Sequence, residues 1–266
     1  MARQKLPPFD PYYYYLESVQ DPPVSADFIA NAYYKQNRKW PLRLREDFCG
    51  AFALCHEWVQ RDPKAKAIGI DKSMEPIRYG GKHYVPTLTD DQQSRLTILN
   101  GDVLKSKLPK AEVIAALNFS FFCFKKKEQL VHYFRRCHQT LEKNGILVLD
   151  CFGGPETHGA NEDVSRVRNF TYYWDQVSFD PITHHALFHI HFKRKNERKR
   201  LKVFTYDWRM WTIPEITDAL QDAGFKKSVV YWEGTKRDGT GTGHYRPATS
   251  TKEECNAWVV YIVGVR

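Results

Sequence analysis

The stretch Glu46-Asp47-Phe48-Cys49-Gly50-Ala51-Phe52 puts two carboxylates and one glycine between a strand-like run and a helix-like one. Asp71 follows Gly50 by 21 residues and ends another short apolar run. A carboxylate at that spacing and place accepts hydrogen bonds from the vicinal hydroxyls of a ribose. Asn100-Gly101-Asp102-Val103 and Asn118-Phe119-Ser120 close two further strand-like runs. Asp102 is placed to hold an adenine amino group, and the backbone at Val103 to face a ring nitrogen. Together these residues could bind a nucleoside.

The charge and bulk of the first stretch say which nucleoside. A dinucleotide carries a pyrophosphate, which needs close backbone approach and glycines that permit it. Phe48 and Phe52 occupy two of the three positions where such loops carry glycine. Glu46 and Asp47 add negative charge, and each carboxylate a few ångströms from a phosphate costs on the order of 1 kcal/mol or more. The same acids suit a ligand with an ammonium group and no phosphate. S-adenosylmethionine (SAM) is such a ligand, with adenine, ribose, a sulfonium and an amino-acid head.

Alternating elements must position these residues. Runs 41–48, 66–71, 95–103, 111–119 and 145–152 read as strands, and 52–62, 73–84 and 125–145 as helices between them. Ser73 is the expected N-cap of the second helix, with Glu75 in its first turn. Leu130, Val131, Phe134, Cys137 and Leu141 form the apolar stripe of the third, with Gly145 as its stop. Five strands alternating with helices predict a parallel α/β sheet covered on both faces. From Phe170 to Trp211 the pattern becomes antiparallel ribbon, with turns at Asp180-Pro181 and near Asn196. A helix over 214–225 and two strands, 226–234 and 256–265, joined by a long polar loop, complete the chain.

The composition fits a globular α/β protein: 266 residues, 42% hydrophobic and 27% charged. No apolar run nears the roughly 18 residues that span a bilayer, and the start, MARQKLPPFD, lacks the apolar core of a secretory signal. Six scattered cysteines without paired spacing fit buried thiols in a reducing, cytoplasmic setting. The net charge of +9 is concentrated: Lys193-Arg194-Lys195-Asn196-Glu197-Arg198-Lys199-Arg200 carries six basic residues and one acid. That segment reads as a solvated hairpin tip, with a polyanion dock as the alternative. The glycine-rich stretch 238–244 has no helix after it and reads as a loop. His185, His189 and His191 lack further ligand spacing, so they read as exposed or substrate-lining histidines, and no metal site is expected.

These residues carry a family resemblance. The sequence resembles class I SAM-dependent methyltransferases over about residues 40–152 and 214–266. LREDFCGAF is similar to the family's first motif, GID at 69–71 to the second, NGDV at 100–103 to the third, and ALNFSFF at 116–122 falls at the fourth. The resemblance implies a seven-stranded Rossmann-like sheet with a reversed terminal hairpin and an antiparallel β insertion after the fifth strand. It makes Glu46 the motif acid, Gly50 the central glycine, Asp71 the ribose acid and Asp102 the adenine contact. Phe48, Cys49, Val103, Asn118, Phe119 and Ser120 complete the expected cofactor site. Residues 1–40 form an aromatic cap, 41–152 and 212–266 the SAM-binding core, and 153–211 a ribbon over the acceptor pocket.

Methyl transfer from a sulfonium needs positioning more than proton chemistry, and no catalytic triad is visible. Asn118, Tyr172 and Trp174 are the expected acceptor contacts, and His158 the most reachable base. The resemblance, through family members whose β insertion after the fifth strand lids the pocket for a small molecule, implies a small-molecule acceptor with an amine, hydroxyl or carboxylate nucleophile. The alternatives are an RNA or protein methyltransferase docking through 193–200, and a SAM-binding module without turnover.

Overall fold

The computed structural model describes residues 7–236, 241–251, 253 and 255–266. In chain order the elements are α1 (Pro11–Val19), α2 (Pro22–Asn37), β1 (Arg43–Asp47), α3 (Ala53–Arg61), β2 (Lys66–Asp71), α4 (Met74–His83) and α5 (Asp90–Ser94). Then come β3 (Leu96–Asn100), β4 (Ala111–Ala116), α6 (Lys127–Thr140) and β5 (Leu141–Gly153). The insertion holds β6 (Asn161–Val167), β7 (Phe170–Phe179), β8 (His185–Arg194) and β9 (Arg200–Arg209). Last are α7 (Ile213–Asp222), β10 (Lys227–Thr235), β11 (Gly241–Ala248) and β12 (Trp258–Val265).

The main sheet has the order β11-β10-β12-β5-β4-β1-β2-β3. The strands from β5 to β3 are parallel, whereas β12 runs antiparallel to both β5 and β10. This is the expected parallel sheet with a reversed terminal hairpin. It has eight strands rather than seven, because residues 241–248 pair with β10. The polar text here predicts a loop; the structure makes it an edge strand, whose mostly exposed residues need no apolar alternation. Residues 238–240 of the glycine-rich stretch lie outside the described residues.

Strand β4 is buried along its whole length, which explains its lack of polar alternation. Leu130, Phe134 and Cys137 of α6 seal one face, and Leu54, Trp58 and Val59 of α3 the other. Each large side chain buried this way contributes about 1.5–3 kcal/mol. Helix α6 stops at Thr140, not at Gly145; Leu141–Gly145 already belong to β5. A side chain at Gly145 would crowd the Glu112 carbonyl oxygen at 2.8 Å, so glycine there serves strand contact rather than a helix stop. Ser73 does precede α4, but its hydroxyl makes no cap bond; its N–H donates to Asp71 instead. Asp10 and Asp21 cap α1 and α2, each followed by proline in the first turn.

The insertion is a separate four-stranded antiparallel sheet, β6-β7-β8-β9. The fourth strand, β6, is polar and mostly exposed, and so gave no apolar signal in the sequence. The pairings Tyr172 with Phe192, Trp174 with Ile190 and Phe188 with Tyr206 gather the aromatics on one face. That face turns toward the ends of β4 and β5, where Trp174 and Phe188 pack near Phe152.

Candidate active site

Strand order reverses between β1 and β4, and the crevice beyond those strand ends is where open α/β sheets bind ligands. The loop after β1 turns sharply there: Phe48, Gly50 and Phe52 all adopt left-handed backbone, at φ 60, 51 and 52. For bulky residues this conformation costs about 1–3 kcal/mol each. Asp71 holds the turn in place. Its Oδ2 accepts the Gly50 N–H and its Oδ1 the Ser73 N–H, both at 2.8 Å. A side chain added at Gly50 would meet nothing within 4 Å, so the loop opens onto free space.

That space is a cavity of about 330 Å³ lined by Phe48, Gly50, Asp71, Asn118 and Ser120. Tyr12, Tyr15 and Leu16 of α1 and Phe204, Tyr206 and Trp208 of β9 cover it. A second cavity of about 440 Å³ lies under the inserted sheet, lined by Phe119, Phe152, Tyr172, Trp174, Trp232 and Trp258, with Asp163 and Glu233. Tyr15, Asn118, Tyr206 and Trp208 line both cavities and so form the wall between them.

Asn118 and Phe119 are also left-handed, at φ 57 and 58. The buried carboxylate of Asp150 on β5 clasps them, accepting the Asn118 N–H at 2.7 Å and the Phe119 N–H at 2.8 Å. Burial raises the Asp150 carboxyl to about 7 against these two donors. Burial likewise raises the Tyr15 hydroxyl to about 12, with the Tyr206 hydroxyl pulling the other way.

The remaining candidates divide. Glu46 is buried and lines neither cavity; its Oε2 accepts the Cys55 N–H at 3.2 Å, and burial raises it to about 8. Asp47 points to the opposite face of β1, where Arg45 grips it at 2.8 and 3.1 Å and the Tyr133 hydroxyl donates at 2.9 Å. Neither acid lines the crevice, where the sequence predicts that they face an ammonium. Cys49 and Val103 are core residues, and Asp102 bonds its own turn through the Leu104 N–H at 2.8 Å. None of these three lines the strand-end cavity, and Phe119 lines only the aromatic one.

Tyr172 and Trp174 do face the aromatic cavity, but His158 does not. Its exposed ring stacks on Phe179 at 5.0 Å and lines neither cavity, so it is not positioned there as a base. His189 and His191 are neither exposed nor lining: they are buried on the other face of the inserted sheet. Glu162, Asp175 and His191 bring ligand atoms within 4.8 Å of one another. His191 Nδ1 accepts the Lys202 N–H at 2.8 Å, so Nε2 carries the proton and donates to Asp175 at 3.0 Å. That nitrogen has no lone pair to give a metal. The sequence reading placed Tyr15 only within the aromatic cap and missed Asp150, Trp232, Glu233 and Trp258, which reach the site from elements far apart in the chain.

No family model matches the sequence, and no curated protein does. Solved structures do. An amino pentose methyltransferase from Micromonospora echinaspora with SAM bound matches with a TM-score of 0.67 at 16% identity, over 99% of this chain and 100% of that one. A SAM-dependent methyltransferase from Clostridium acetobutylicum gives 0.67 at 15%, over 95% and 96%. A sugar N-methyltransferase from Streptoalloteichus gives 0.62 at 16%, over 100% and 98%. With this strand order and these neighbours, the chain has the Rossmann-like fold of the class I SAM-dependent methyltransferases.

Proposed function

We propose that the protein is an enzyme that transfers a methyl group from SAM to a small-molecule acceptor. One observation carries this reading: two cavities of ligand size meet at a single wall of four residues, Tyr15, Asn118, Tyr206 and Trp208. The strand-end cavity fits a nucleoside without phosphates. Each Asp71 oxygen accepts one backbone N–H and keeps a lone pair for a ribose hydroxyl, and Gly50 leaves the approach open. When bound, SAM supplies an electrophilic methyl carbon on a sulfonium. The chain's own residues orient and enclose. Asp71 anchors the ribose end, the Asn118 turn sets the passage between cavities, and α1 with β9 excludes water. Holding the partners near attack distance in this way is worth up to about 7–11 kcal/mol in favourable intramolecular systems.

Two similar structures are an amino pentose methyltransferase and a sugar N-methyltransferase, which supports a small acceptor. The polyanion dock is disfavoured because half of the basic segment is engaged within the molecule. Arg194 bonds Glu197 and the Pro7 carbonyl, Lys199 pairs with Glu162, and Arg200 pairs with Glu197. A SAM-binding module without turnover has no need of the second cavity. Incubation with methyl-labelled SAM and a fractionated metabolite pool tests the reading, with label expected in a small-molecule fraction. Label found only in added RNA or protein, or SAM binding without any transfer, would overturn it.

A further inference from the structure

The aromatic cavity carries charge of one sign only. Its wall holds Asp163 on β6 and Glu233 on β10, and among the described residues no Lys, Arg or His lines it. Glu233 is held in a fixed orientation: Oε1 accepts the Gly243 N–H at 2.7 Å and Oε2 the Tyr245 hydroxyl at 3.3 Å. Both partners are neutral, so they orient the carboxylate without cancelling its charge. Neither acid has an ion-pair partner among the described residues.

The same cavity is lined by aromatic rings. Trp232 and Trp258 lie 5.6 Å apart, and Tyr206 stacks on Trp208 at 4.5 Å. Such faces attract a cation by about 0.5–2 kcal/mol each, most where water is excluded. A phosphate or carboxylate placed here would meet like charge with no counter-ion. A neutral alcohol would leave both acids unanswered.

We propose, resting on the methyltransferase reading above, that the acceptor is an organic amine recognised as its ammonium cation, with Glu233 the specificity-determining anchor. Phosphorylated and carboxylated acceptors are thereby rejected. Before transfer the ammonium releases a proton to water past Asp163, the more exposed of the two acids. The freed nitrogen lone pair then attacks the methyl carbon; the N–C bond forms as the S–C bond breaks, and its electron pair leaves on sulfur. The product is a methylated ammonium beside a neutral thioether, and the charge lost by sulfur is the charge gained by nitrogen.

Tryptophan fluorescence reads the cavity directly, because Trp174, Trp208, Trp232 and Trp258 line it. Three probes of one shape are titrated into the full chain: choline, neutral 3,3-dimethylbutanol and anionic 3,3-dimethylbutanoate. Choline is expected to bind at least tenfold tighter than the alcohol, with the anion weakest. In Glu233→Gln, whose isosteric amide keeps the Tyr245 and Gly243 neighbours, that preference is expected to fall below threefold while SAM affinity holds. Equal binding of cation and alcohol, tighter binding of the anion, no binding of any probe, or an unchanged preference in E233Q would each overturn the proposal. SAM affinity of the wild type is measured alongside: its absence removes the methyltransferase reading, whereas its presence with a failed probe ratio removes only the amine.

Discussion

Asp71 has two roles in the structure, and replacing it separates them from a merely structural acid. Its carboxylate accepts the Gly50 N–H and the Ser73 N–H, each at 2.8 Å, and offers its remaining lone pairs to the strand-end cavity. Ser73 is exposed, so its amide regains water when the carboxylate goes; the Gly50 amide is half-buried inside a left-handed turn. A hydrogen bond to a charged group is worth about 1.5–3 kcal/mol. Losing the ribose contact, one such bond, in Asp71→Ala should therefore weaken SAM roughly 10- to 150-fold, with the lost Gly50 bond loosening the turn besides. Asp71→Asn should fall between, since one amide oxygen still accepts but the NH₂ confronts a second N–H donor. Equilibrium dialysis or titration calorimetry measures the affinities, and thermal unfolding without ligand reports the loop. If D71A binds SAM within twofold of wild type, the strand-end cavity is not the cofactor site and the reasoning fails.

Three further outcomes are expected. Asp150 and Glu46 are both raised by burial, from 3.8 to about 7 and from 4.5 to about 8. The folded chain thus keeps protons that the unfolded chain releases, and stability falls as pH rises from about 4 to 7 before levelling for Asp150. Asp150→Asn should flatten its share of that slope in denaturant titrations at several pH values; an unaltered slope would count against the assignment. Gly80→Ala puts a methyl group against the Ala51 carbonyl and 2.5 Å from the Phe52 ring, an overpacking that should cost about 1–3 kcal/mol and weaken SAM with it. Neutralising Lys193, Lys195 and Arg198 should leave SAM binding unchanged. Arg194→Gln alone should lower the melting temperature, because Arg194 ties Pro7 and Glu197 together.

The sheet was legible because its strands are continuous apolar runs and its helices carry clean stripes, as in β4 and α6. Strands β6 and β11 were not, because edge strands with solvated faces need no apolar alternation. Of the site, Gly50, Asp71, Asn118 and Ser120 could be placed from strand-end position alone. Glu46 and Asp47 could not, because strand alternation sends them to opposite faces of β1 and both faces are buried. One signal was present: Arg45 and Asp47, two apart on a strand, share a face and can pair. Asp150 sits within the apolar run of β5, and its role depends on the left-handed turn that follows the neighbouring strand β4, a contact no local pattern encodes.

The glycine missing from the first motif has a counterpart elsewhere. Phe52 stands where a glycine would let helix and loop approach closely, and its ring instead lies against Gly80 of α4. The close approach is kept, with the small residue moved to the facing helix. The backbone requirement did not move: Phe48 and Phe52 still adopt the left-handed angles a glycine would, as do Asn118 and Phe119 across the crevice. Four non-glycine residues in that conformation, in the two turns that flank the crevice, hold strain of about 1–3 kcal/mol each. Two carboxylates restrain them, Asp71 through Gly50 and Asp150 through Asn118 and Phe119. Each anchors its turn by backbone N–H groups alone, so the restraint depends on acceptor geometry rather than on the side chains restrained. Losing either acid should therefore relax the turn it holds, Asp71 at the cofactor side and Asp150 at the passage to the acceptor, which makes the two variants separable by which cavity's ligand is weakened first.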